Sequence, residues 1–247
     1  MRKEKYIISA KEAETKKGTV KENVTVILLG ENHGHRMKSY GPIPLIKVDS
    51  KTLLQKQIEA VKAVFPKYEI ILCSGFDAKK TTEYVKENFK KENIRIVENQ
   101  LHYNSNCCES ARLCLNNTMN TKILICSGNI LLTPSYLSSI DYKKTSISVQ
   151  QENFKSEFFV SAIVNKRRLQ SFCLGEKADF WTENLYLNGQ DVIDQFYSIV
   201  SNPDFKNKFM FEAINELLKN NTVSVTDVGK NKIMKLNNMR TLKRIKQ

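Results

Sequence analysis

The chain has 247 residues, 41% of them hydrophobic and 26% charged, enough to bury one large core or two small ones. A mean hydropathy of −0.41 and the lack of any apolar run of about 18 residues exclude a membrane-spanning helix. Lysine and arginine number 39 against 26 aspartates and glutamates, a formal net charge of +13, which favours polyanionic or phosphorylated ligands without naming one.

Residues 1–22 are densely charged with alternating sign and lack the apolar stretch of a secretory signal, so they predict a flexible arm and a cytoplasmic protein. The six cysteines at 73, 107, 108, 114, 126 and 173 form no Cys-x-x-Cys pair and no zinc-type spacing with histidine. They read as reduced thiols, with Cys73 and Cys126 inside apolar runs.

A single domain is expected over 23–247. Strands are predicted at 24–29, 69–73, 94–97 and 123–127, alternating with helices at 52–64, 77–89 (Asp77 as N-cap) and 105–115. Strand–helix units at that spacing predict a three-layer α/β fold with a mostly parallel, doubly wound sheet. After Pro134 the rhythm loosens into an α+β half: strands at 146–149 and 158–164, helices at 192–200 and 206–218, closing segments at 223–228 and 233–236, and a basic helix from Asn238. In open α/β sheets ligands bind at the carboxyl ends of the strands, which selects residues 29–37, 73–77, 97–110 and 127–131.

The first of these loops reads Leu29-Gly30-Glu31-Asn32-His33-Gly34-His35-Arg36-Met37. Small residues ending in a cation let backbone N–H groups approach phosphate, although glycines in an ordinary turn give the same pattern. His33 and His35 have the pKa range for acid–base work or phosphate contact, and equally suit a solvated loop. The loop leads into Gly41-Pro42-Ile43-Pro44-Leu45-Ile46-Lys47 and then a helix.

This stretch resembles the sugar-phosphate nucleotidyltransferases, with their signature Ala-Ala-Gly-x-Gly-x-Arg-Met, a Pro-Lys-Pro-Leu element and a helix. Laid without gaps, Gly34, Arg36 and Met37 fall on the second glycine, the arginine and the methionine. Ile71 to Phe76 resembles the second-strand element that flanks the base, Glu98 to Ser110 an Asn-rich loop and helix start, and Ile125 to Leu132 the "Asn-Gly-Asp-Val" strand end. Leu174 to Trp181 and Lys235 to Asn238 resemble the closing half of the choline-phosphate and related cytidylyltransferases. The similarity spans about 24–245 in unbroken order and implies the glycosyltransferase-A-like, nucleotide-diphospho-sugar transferase fold. It also implies nucleotide contacts at Leu29, Gly30, Asn32, Gly34, Arg36, Gly75, Asn106, Ser110 and Gly128.

The departures fall on residues that would do the chemistry. The lysine between the two prolines is Ile43, the metal-binding aspartate is Asn129, and the closing carboxylate is Asn237. A neutral amide offers oxygen without charge, so a Mg²⁺ site is weakened; no metal ligand is assigned and no tightly bound cofactor is expected. Glu31, Lys47, Glu109 and Asn129 are the catalytic candidates, with Glu98 as a further acid on the rim. The expectation is a transferase using a nucleotide or nucleotide sugar with altered or metal-independent chemistry. The alternatives are sugar transfer to a polyanionic acceptor such as modified DNA, and an inactive nucleotide-binding or scaffold protein. Residues 230–247 hold seven cations and no acid, making Lys243, Arg244 and Lys246 candidates for nucleic-acid backbone contact.

Overall fold

The computed structural model describes residues 23–32, 37–151, 160–176, 178–229, 231 and 233–236. The predicted arm, the loop residues His33, Gly34, His35 and Arg36, Asn237, and the basic helix from Asn238 with Lys243, Arg244 and Lys246 therefore lie outside the described residues.

The strands are β1 (Val24–Leu29), β2 (Lys47–Val48), β3 (Lys51–Thr52), β4 (Tyr68–Ser74), β5 (Ile94–Glu98), β6 (Lys122–Ser127), β7 (Ile130–Leu131), β8 (Ser146–Gln150), β9 (Val160–Asn165), β10 (Arg168–Leu174), β11 (Asp179–Trp181), β12 (Asn184–Asn188), β13 (Ser224–Asp227) and β14 (Met234–Lys235). The helices are α1 (Leu53–Val64), α2 (Ala78–Asn88), α3 (Cys107–Leu115), α4 (Pro134–Ser139), α5 (Gln190–Ser201) and α6 (Met210–Leu217).

One ten-stranded sheet runs in the order β11-β9-β10-β13-β8-β12-β6-β1-β4-β5. Strands β6, β1, β4 and β5 are mutually parallel, as the alternating strand–helix pattern requires. Beyond β12 the neighbours are antiparallel except for the β13–β8 pair, so the loosened half is where the sheet changes character. The β9–β10 connection is a two-residue turn at Lys166 and Arg167, both with positive φ. Such a turn matches the strand twist and returns the chain antiparallel.

Alternation along β1 builds two cores. Ile27 and Leu29 face Cys108, Ala111 and Cys114 of α3 together with α5 and α6. Val24, Val26 and Leu28 face Leu54, Ile58 and Val61 of α1 and Tyr136 of α4. A sheet buried on both faces explains why β1 reads as an apolar run interrupted only by Thr25. Caps set the helix starts. Thr52 Oγ1 accepts from the Gln55 amide at 3.1 Å, and Asn106 Oδ1 from the Cys107 amide at 2.8 Å, which moves the start of α3 two residues past the predicted Ser105.

Asp77 holds the N-cap position of α2, but at φ 53° and ψ 45° its side chain makes no cap hydrogen bond. The left-handed turn leaving β4, rather than capping, is what Asp supplies there. The predicted helix at 206–218 starts four residues late, as α6, after a separate single turn at Pro203–Phe205. The Phe209 amide donates to Glu212 Oε2 at 2.8 Å and so begins α6 afresh.

Candidate functional site

The exits of β1 and β6 approach each other closely. The Gly128 amide donates to the Leu29 carbonyl at 2.8 Å, and a Cβ on Gly128 would lie 2.6 Å from Gly30 Cα. A Cβ on Gly30 would meet Pro44 Cγ at 2.8 Å. On Gly75 it would meet His102 Cβ at 2.7 Å and Glu31 Cβ at 3.0 Å. Packing by itself thus accounts for all three glycines, and a histidine fills the space above Gly75. Gln57 of α1 clamps the β6 exit, its Nε2 donating to the carbonyls of Gly128 at 3.0 Å and Ile130 at 2.7 Å.

Beside this backbone junction lies a cavity of about 440 Å³. Its polar rim carries Glu31, Asn32, Asn106, Ser127, Asn129, Glu183 and Lys235. Its walls are apolar: Leu29, Ile125 and Leu185 from the sheet, Trp181 from β11, and Phe209 and Met210 at the start of α6. The sequence-predicted residues Leu29, Glu31, Asn32, Asn106 and Asn129 all line it. Ser110 is buried behind the rim and accepts from Asn99 Nδ2 at 2.9 Å. Lys47 is exposed on β2 and outside the lining. Glu109 is held in a two-pronged pair with Arg112 at 2.7 Å and is likewise outside it.

Glu31 is 2% exposed. Its Oε1 accepts from Asn32 Nδ2 at 3.3 Å, while Oε2 is buried without a hydrogen-bond partner. Burial pushes its carboxyl pKa above the ordinary value, opposed in part by the Glu31 backbone and the Ser110 hydroxyl. The neighbouring Cys107 thiol is also pushed up, chiefly by burial, with Cys108 and then Glu31 adding to the effect; this removes nucleophile character.

Sequence reasoning missed Glu183, Lys235 and the aromatic wall. Trp181, the one tryptophan, was the available signal. The Glu183–Lys235 ion pair joins residues 52 apart in sequence; Lys235 opens the closing motif at Lys235 to Asn238, while Glu183 carries no local motif. Glu183 sits at φ 56° in the turn between β11 and β12, where its carbonyl accepts the Ser127 amide at 3.1 Å.

The nucleotidyltransferase resemblance implies Mg²⁺, and the donor set here does not fit it. Mg²⁺ is held by one or two carboxylates with substrate phosphates. At this rim Asn129 supplies an amide that accepts from Ser127 Oγ at 2.8 Å, Glu183 is already neutralised by the Lys235 ammonium, and the one remaining carboxylate, Glu31, is buried with its pKa pushed up. Among the described residues no three His, Cys, Asp or Glu side chains cluster as a metal site.

No protein-family model and no curated protein matches the sequence. Solved structures do. The CTP:phosphocholine cytidylyltransferase from Streptococcus pneumoniae superposes with a TM-score of 0.73 at 15% identity, over 91% of this chain and 97% of that one. The inositol-1-phosphate CTP transferase from T. maritima gives 0.73 at 16%, over 94% and 98%. A UDP-glucose pyrophosphorylase complexed with UDP-glucose gives 0.72 at 9%, over 91% and 97%. Placed with the sheet order and the cavity at the strand ends, these likenesses show that the chain has the mixed α/β fold of the nucleotidyltransferases.

Proposed function

We propose that this protein is a transferase that binds a nucleotide or nucleotide sugar over the carboxyl ends of β1 and β4, with its second substrate in the adjoining cavity. The observation that carries this reading is the cavity's place: it opens where β1 and β6 end, in a fold whose ligands bind at that edge. Asn32 and the retained Gly34-x-Arg36-Met37 sequence then serve the phosphates, and Asn106 and Asn129 supply polar contacts. The chemistry proceeds without a resident Mg²⁺, since the rim presents the Lys235 cation, amides and a single buried carboxylate, Glu31, with no free partner carboxylate. The same observation favours a second reading, a nucleotide-binding protein that has lost turnover.

Thermal-shift titrations with CTP, UTP, dTTP and UDP-sugars, each with Mg²⁺ and with EDTA, test the reading, because a ligand of the native state raises its stability by mass action. One nucleotide class is expected to stabilise the protein equally in both conditions. Arg36→Ala is expected to weaken that nucleotide about tenfold in calorimetry, the scale of a lost charge-assisted phosphate contact. Binding abolished by EDTA would overturn the metal-free part. Product formation in a coupled nucleotide assay separates the transferase from the binding protein.

A further inference from the structure

We propose that the cavity selects a ligand with an apolar body and a protonated amine, whose N–H donates to the Glu31 carboxylate. The inference rests on the proposed function only in making this ligand the second substrate; the binding stands on the cavity itself.

Two observations combine. The first is the unpartnered, buried Oε2 of Glu31 at a rim whose other acid, Glu183, is matched by Lys235. Among the described lining residues Glu31 is the uncompensated charge, in a chain whose formal net charge is +13. An isolated buried carboxylate is costly, and an ammonium beside it supplies both charge and a charge-assisted hydrogen bond. Rotation about the terminal carboxyl bond presents either oxygen to the cavity. The second is the wall. Leu29, Ile125, Leu185, Trp181 and Met210 are nearly or fully buried and offer carbon surface. Trp181 turns its one donor inward, Nε1 donating to the Asn184 carbonyl at 2.9 Å. A sugar would leave most of its hydroxyls facing these side chains unpaired, whereas a hydrocarbon or aromatic body is matched. Glu31 also stands where the nucleotidyltransferase signature, laid on Met37, has its second alanine, so the acid is this chain's own addition.

The test uses the full chain with three probes of one shape: 2-phenylethylamine, 2-phenylethanol and trimethyl(2-phenylethyl)ammonium. Calorimetry is expected to give one site for the primary amine, at least about tenfold tighter than the alcohol or the trimethylated cation. Glu31→Gln removes that preference. Phe209→Ala, at a wall residue that is 53% exposed and hence safe for folding, weakens the amine while keeping the preference. Equal affinity for amine and alcohol overturns the proposal, and so does equal affinity for the trimethylated cation, which has charge but no N–H. Nucleotide binding without amine binding also overturns it while leaving the proposed function standing; amine binding without nucleotide binding upholds it and removes the proposed function.

Discussion

Glu31 determines the behaviour of the rim at the scale of one side chain. Its folded pKa lies above the ordinary carboxylate value because of burial, so the folded state favours the neutral form more than the unfolded chain does. The stability it contributes is complete below the unfolded pKa of about 4.5 and is lost as pH rises through the folded value. The Ser110 hydroxyl and the neutral Cys73 and Cys107 thiols face it, and none of them supplies a compensating cation. Glu31→Gln is therefore expected to raise stability near neutral pH by about 1 kcal/mol or more, with the gain vanishing towards pH 4; melting curves across a pH series check this, and a pH-independent gain would refute it. Gly128→Ala places a methyl 2.6 Å from Gly30 Cα. Backbone atoms cannot yield as side-chain ends do, so a loss of about 2–3 kcal/mol is expected in denaturant unfolding. A neutral effect would mean that the β1 and β6 exits separate readily.

At the scale of elements, α1 and the β6–β7 turn form one unit through Gln57, which is fully buried and reaches two carbonyls on either side of Asn129. Gln57→Leu leaves both carbonyls without that donor. It is expected to cost about 2 kcal/mol, seen as a melting point lower by roughly 4–8 °C for a chain this long. Faster amide exchange at 128–131 is the accompanying sign. Strands β1, β4 and β6 were legible because double burial writes a mostly apolar run into each, whereas β5, at the sheet edge, was read from its alternating Ile94 and Ile96. Strand β12 was not, since Asn184 and Asn188 at its ends read as turn residues. In the fold Asn184 is fully buried, its Oδ1 accepting from the Ser148 amide at 2.8 Å and Thr182 Oγ1 at 3.0 Å. Partners 36 residues away turn a loop-type side chain into a strand one.

Over the whole molecule, charge and cavity point in opposite directions: the formal net charge is +13, while among the described residues the cavity rim has one uncompensated acid. Lys243, Arg244 and Lys246 belong to the basic tail, and nucleic-acid binding through them is a proposal with its own test. Replacing the three by Gln is expected to weaken duplex DNA binding and to make its salt slope shallower by up to about three units, since each neutralised phosphate contributes nearly one. Nucleotide affinity should be unchanged. Identical anisotropy titrations for the two proteins across a salt series would leave the tail as solvated surface.

The sequence alone determined the alternating strand–helix half, because its periodicities are local and each core face repeats within a few residues. It also picked out Glu31, Asn32, Asn106 and Asn129, which line the cavity at the strand ends, because those positions follow directly from where strands end. Only the tertiary structure decided that Gly30, Gly75 and Gly128 serve close packing, that Glu109 is occupied by Arg112, and that Lys235 meets Glu183. It alone brought Trp181 and Phe209 to one wall. These are contacts between segments tens of residues apart, and their energies depend on what burial places side by side, which no local pattern encodes.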